Sequence, residues 1–209
     1  AILLGSGTMA NDTIAGQLSL LPGDGLIVSS GEFGDRLLDH ARRMRLRFEV
    51  LRVDWGRVLG RDMIEAALDQ AAGAEWLWAV HCETSTGVLN DLEMLKDFCA
   101  ARDISLAMDC ISSIGTVPMD LGGVYLGSCV SGKGLGSYPG LSMVFHDHEV
   151  HPAPHALPRY LDLGLHAEKD GVPFTMSSNL FYALDAALGR FEAVAVSEEI
   201  VEVSTWLRR

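Results

Sequence analysis

Positive charge is scarce in this chain. Sixteen Lys and Arg stand against 28 Asp and Glu, a formal net charge of −12 at pH 7. That balance argues against a protein that tracks the phosphates of a nucleic acid, which needs a basic surface. Paired cysteines are also missing. Cys82, Cys99, Cys110 and Cys129 form no C-x-x-C unit, so the simplest reading is reduced core thiols in a cytoplasmic protein. No apolar run approaches the roughly 18 residues that suggest a membrane span. A basic stretch leading into an apolar secretory segment is not found either, and a cytoplasmic location is expected.

What the chain does have is apolar material. It is 48% hydrophobic and 21% charged over 209 residues, enough for a sizeable buried core. The runs "AILL" (1–4), "GLIVSS" (25–30), "FEVLRV" (48–53), "WLWAVH" (76–81), "ISLAMD" (104–109), "VYLGSC" (124–129) and "LSMVFH" (141–146) read as buried strands. Helical patterns fall between them near 8–21, 34–46, 61–73 and 90–102. This alternation predicts an α/β fold, a mostly parallel central sheet with helices on both faces. The last three strands are closely spaced, which allows local antiparallel pairing. A Pro- and His-rich connector follows, then one helical pattern over 178–209. The opening reads as a strand already under way and the end lies inside a helical pattern. The expected organisation is a large domain over 1–177 and a long helix over 178–209 leading toward a small domain that this chain does not carry.

Sites in such sheets gather at the carboxyl ends of the strands. Here those ends are followed by "GSGT" (5–8), "GEFG" (31–34), "HCETSTG" (81–87), Asp109 and "SGKG" (131–134). Lys133 is the pivotal residue. Gly127–Lys133 spells G-x-x-x-x-G-K, but Gly134 replaces the Mg²⁺-holding Ser or Thr, and Gly and Pro prevent the helix a P-loop requires. A lone lysine in a glycine-rich loop is otherwise a surface residue. The third reading is a Schiff-base lysine for pyridoxal phosphate, which glycines admit closely. That cofactor also needs a carboxylate for its ring nitrogen, amides for its phosphate and a flat side chain over its ring. Asp109, "GSGT" and Phe33 offer all three. His81 reads as a packed histidine. The group His146, His148, His151 and His155 lies in a proline-broken connector, and no metal site is expected there.

The segments "GSGT" (5–8), "GEFGDR" (31–36), "HCETSTGVLN" (81–90), "DCISSIGTVPMD" (109–120), "SGKGLGSYPG" (131–140) and "PFTMSSNLFYAL" (173–184) resemble the class V aminotransferases, which are fold-type I pyridoxal-phosphate enzymes. The likeness is greatest to the branch of alanine– and serine–glyoxylate and 2-aminoethylphosphonate–pyruvate aminotransferases. It implies the large domain of a transferase that moves an amino group from a small donor to pyruvate or glyoxylate, in a homodimer. It also implies site roles. Lys133 takes the place of the covalent lysine and proton shuttle, and Asp109 that of the ring-nitrogen carboxylate. Phe33 takes the stacking position. Ser6, Gly7 and Thr8 match the phosphate turn, and Thr84 a hydroxyl near the ring's O3′ side. Thr175 matches a threonine that reaches the neighbouring subunit's phosphate. Gly132 and Val172 depart from relatives that carry a polar and an aromatic residue there. The substrate-binding arginine of complete members belongs to the small domain. Two alternatives remain: a desulfurase-like lyase, against which Phe33 stands where a histidine is usual, and a cofactor-binding domain without catalysis.

Overall fold

The computed structural model describes residues 1–71, 73–191 and 193–207. In chain order the strands are β1 (Ile2–Gly5), β2 (Asp24–Ser29), β3 (Phe48–Arg52), β4 (Ala74–Val80), β5 (Cys82–Glu83), β6 (Val88–Leu89), β7 (Ser105–Asp109), β8 (Leu126–Val130) and β9 (Gly140–His146). The helices are α1 (Gly7–Leu18), α2 (Glu32–Arg43), α3 (Arg61–Gln70), α4 (Leu92–Ala101), α5 (Leu163–Glu168), α6 (Ser178–Leu188) and α7 (Ala193–Leu207).

A seven-stranded sheet has the order β1-β9-β8-β7-β4-β2-β3. The pairs β3–β2, β2–β4, β4–β7 and β7–β8 are parallel. Only β9 runs the other way, antiparallel to both β8 and β1. The chain lays β3 on one side of β2 and then β4 on the other, so the strand order reverses between β2 and β4. Open α/β sheets form a crevice at such a reversal, outside the carboxyl ends of the strands.

The sheet is covered on both sides, which explains the unbroken apolar runs. On β4, Trp76, Trp78 and Val80 face one core with Ile14, Leu18, Leu37 and Leu38 of α1 and α2. Leu77 and Ala79 face the other, with Ile64 and Leu68 of α3 and Leu95 and Phe98 of α4. Each fully buried side chain of this kind contributes about 1.5–3 kcal/mol. A third, smaller cluster joins Leu141 and Met143 of β9 to Leu184 of α6.

The expected strands and the first four helices are present, and three features differ from the sequence reading. Strand β3 is an edge strand with Glu49 and Arg52 exposed, not a buried one. Charged side chains on an edge discourage pairing with a further strand. The connector after β9 contains a 3₁₀ turn (Arg159–Leu161) and α5, whose N-terminus is capped by Asp162 accepting from the Leu165 amide. The single C-terminal helix is two helices: α6 ends at Leu188 with Gly189 at its C-cap, and α7 begins at Ala193. Among the described residues no helix is long and apolar enough to cross a membrane.

Candidate active site

The carboxyl ends of the sheet enclose a cavity of about 270 Å³. Ser6, Gly7, Thr8, Phe33, Asp109 and Lys133 all line it, so the structure brings six of the sequence candidates to one place. Thr84 and Thr175 are exposed and lie outside the lining.

Its floor is the N-terminus of α1. Ser6 is the N-cap residue in an extended conformation, and its hydroxyl makes no capping bond. No acidic residue occupies the first turn. The first amides of a helix have no partner within it, and they carry the positive end of the helix dipole. This is a seat for an anion, and Gly7 places it close to the end of β7. A Cβ at Gly7 would come within 2.5 Å of Ile111.

Asp109 closes β7 and is 5% exposed. Its Oδ2 accepts from Asn11 Nδ2 at 2.8 Å and its Oδ1 from the Ile111 amide at 3.0 Å. Burial pushes this carboxyl above the usual carboxylate range, while the Ile111 and Asn11 hydrogen bonds and the Lys133 charge pull the other way. The site therefore stores a carboxylate that a cationic partner in the cavity would keep ionised.

Lys133 stands in the loop after β8. Its Nζ donates to Ser112 Oγ at 2.8 Å and lies 5.4 Å from the centre of the Phe33 ring. The loop approaches closely because Gly132 has no side chain. A Cβ there would come within 2.8 Å of the Pro139 backbone, so the polar residue some relatives carry would not fit this loop without a backbone shift.

Phe33 is placed by a group the sequence reading did not single out. Glu83 on β5 is fully buried, and its carboxylate accepts from the amides of Gly34 at 2.9 Å and Phe33 at 3.4 Å. It also accepts the Ser85 hydroxyl at 2.6 Å. Gly31, the N-cap of α2, has no side chain for this purpose, so Glu83 caps the helix from another element. Two-residue strands β5 and β6 hold it there, with Glu83 opposite Val88.

Asn11, Arg36, His40, Cys82 and Ser112 also line the cavity and were not among the sequence candidates. His40 Nδ1 meets Asp12 Oδ1 at 2.6 Å. The Arg36 guanidinium lies 4.9 Å from the Phe33 ring centre. His81, by contrast, is packed below the site with Nδ1 2.9 Å from Ser113 Oγ, and burial lowers its pKa. His146, which ends β9, donates from Nδ1 to the His148 carbonyl, and His148 in the connector stacks on Tyr125.

No family model matches the chain. Individual relatives do. The 2-aminoethylphosphonate–pyruvate transaminase of Burkholderia thailandensis is 31% identical over 199 residues, covering 90% of this chain and 53% of that protein. An alanine–glyoxylate aminotransferase structure from Nostoc sp. superimposes with a TM-score of 0.81 at 31% identity, over 94% of this chain and 56% of that one. The chain belongs to the class V aminotransferase family. This is a family of fold-type I pyridoxal-phosphate enzymes. A further relative, named the small subunit of a soluble hydrogenase from Synechococcus sp. strain PCC 6716, is 36% identical over 205 residues, covering 92% of this chain and 53% of that protein. The chain spans about half the length of the relatives it matches.

The residues present fit the family's cofactor. A buried carboxylate, an unused helix N-terminus, an aromatic face and a primary amine line one cavity of suitable size. Replacing Glu83 with Ala should lower the unfolding free energy by about 1.5–3 kcal/mol, because the Gly34 and Phe33 amides lose a charged acceptor in a buried place. Chemical denaturation of the two proteins measures this, and a loss below about 0.5 kcal/mol would show that Glu83 does not hold α2.

Proposed function

We propose that this chain is the cofactor-binding part of a pyridoxal-phosphate aminotransferase. The donor is a small amine such as 2-aminoethylphosphonate, alanine or serine, and the acceptor is pyruvate or glyoxylate. The single observation that carries the reading is that Lys133 and Asp109, 24 residues apart in sequence (133 − 109), open on one cavity with a helix N-terminus and an aromatic face. The donor choice follows the printed names of the transaminase relatives.

Pyridoxal phosphate, when bound, supplies a carbonyl that takes an amine and a ring that accepts electrons when a proton leaves the substrate's Cα. The chain supplies the rest. The Ser6 hydroxyl and the amides of Gly7 and Thr8 bind the phosphate. Phe33 covers one ring face and excludes water from it. Asp109 holds a proton on the ring nitrogen. The Lys133 Nζ would hold the cofactor covalently and would carry a proton to and from the substrate's Cα. Ser112 Oγ orients that nitrogen in the free site. Residues 1–177 form the cofactor domain, and 178–209 lead toward a further domain that binds the substrate carboxylate.

Hydrogenase chemistry suits this chain less well. Such centres are built from clustered thiolates, and only Cys82 of the four cysteines lines the cavity. Among the described residues no group of three or more His, Cys, Asp and Glu is placed to hold a metal. Desulfurase-like chemistry is disfavoured by Phe33 in the stacking position.

Borohydride reduction of the protein with pyridoxal phosphate, followed by peptide mapping, should place the label on Lys133 and leave Lys133→Ala unlabelled. Lys96 and Lys169 are engaged with Glu93 and Glu168. A label on either of them, with none on Lys133, would overturn the assignment.

The same reading makes the protein a homodimer with Thr175 on the partner's cofactor phosphate. Thr175 is exposed and lies outside the lining of its own cavity, Val172 nearby is exposed too, and α6 presents Tyr182 at 76% exposure. A two-fold interface would use this surface on both copies. Thr175→Val should weaken pyridoxal-phosphate binding by roughly tenfold to a hundredfold, the loss of one hydrogen bond to a charged group. Titrations across a range of protein concentrations, with mass measured in parallel, test it; a monomer with unchanged affinity would contradict it.

A further inference from the structure

Asn11 lies on α1 four residues after Gly7, which places both on one face of the helix. The side chain is 5% exposed and lines the cavity. Its Nδ2 donates to Asp109 Oδ2 at 2.8 Å, and its Oδ1 is buried without a partner. That second fact is informative. An ionised carboxylate only accepts, so the amide has to present its nitrogen to Asp109 and leave its oxygen unsatisfied. A buried acceptor without a partner is unfavourable, and an apolar residue of the same size would avoid it. Packing alone therefore does not account for asparagine here, whereas the neighbouring carboxylate does.

We propose that Asn11 is a positioning residue, which orients the Asp109 carboxylate and keeps it charged for the nitrogen of a flat aromatic ring. The proposal rests on the cofactor reading above. It makes α1 the common frame of the site: amides at the helix start hold the phosphate, and one turn later Asn11 sets the group for the opposite side of the ring.

The other groups around Asp109 do not duplicate this contact. Ser128 Oγ on β8 stands at 3.5 Å, and the Ile111 amide occupies Oδ1, not Oδ2. Lys133 and His40 act on Asp109 by charge. The thiols of Cys82, Cys110 and Cys129 are pushed up first by burial and to a lesser degree by its charge, and they donate nothing to it. Asn11 is thus the side-chain donor to Oδ2 among the described residues.

Two measurements on Asn11→Leu test the proposal. In the ligand-free protein, the Asp109 carboxyl is followed by carbon NMR against pH. Its titration midpoint should rise by about one to two pH units, a tenfold to hundredfold gain in proton affinity, because burial is then opposed by one fewer hydrogen bond. An unmoved midpoint would overturn the proposal. In the second, affinity is measured for pyridoxal phosphate and for its analogue with carbon in place of the ring nitrogen. The substitution should weaken the first by roughly tenfold or more and leave the second unchanged. Equal losses for both would mean a structural role only and would also overturn it. If the unaltered protein binds neither compound, the cofactor reading itself fails, and the Asn11 role with it. Should Asn11→Leu not fold, Asn11→Asp keeps the shape. Two adjacent carboxylates cannot both ionise freely, so this variant should raise the proton affinity of the pair at least as far.

Discussion

A carboxylate that is 95% removed from water needs a partner, and the arrangement of this protein follows from how Asp109 is supplied with one. Strand β7 carries it to the carboxyl edge of the sheet, between β4 and β8. The Ile111 amide and Asn11 meet its two oxygens, and the side facing the cavity is left for a cation. The other elements then have defined places around it. The loop after β8 brings the Lys133 amine, α1 brings the positive end of its dipole, and α2 brings the Phe33 ring. The parallel order of β2, β4, β7 and β8 makes this convergence possible, since each strand ends on the same edge.

A second buried carboxylate does structural work of a different kind. Glu83 ties β5 to the first turn of α2 and so fixes the direction of Phe33. Gly31 permits this docking, because a Cβ there would come within 2.6 Å of the Glu83 carboxyl carbon. The site thus has two acidic anchors. One faces the cavity and is open to a ligand, and the other faces a helix end and is fully satisfied.

Much of the fold was legible in the sequence because its signal is local. Strands buried on both faces must be apolar at every position, and "WLWAV" and "LSMVF" have that form. The edge strand β3 was less legible, since its exposed Glu49 and Arg52 appear only once its place in the sheet is known. Hairpin β5–β6 has two residues in each strand, too few for any periodicity. The C-terminal break was signalled by Gly189 but hidden by helical composition on both sides. In the site, residues within glycine-rich strand ends were readable from their company. Asn11, Glu83 and Ser112 were not, because each matters through a partner distant in sequence. Asn11 had one weak local signal, an amide beside Ala10, Ile14 and Ala15, but Thr13 and the amide of Gln17 are buried on α1 as well.

The central claim is that the sheet edge is built around one flat, anionic, nitrogen-containing cofactor. A crystal structure of the protein grown with pyridoxal phosphate tests it most directly. The account predicts the ring nitrogen within hydrogen-bond reach of the Asp109 carboxylate, with the phosphate on the amides of Gly7 and Thr8. A cofactor bound outside this cavity, or seated in it with its ring nitrogen turned away from Asp109, would contradict the account.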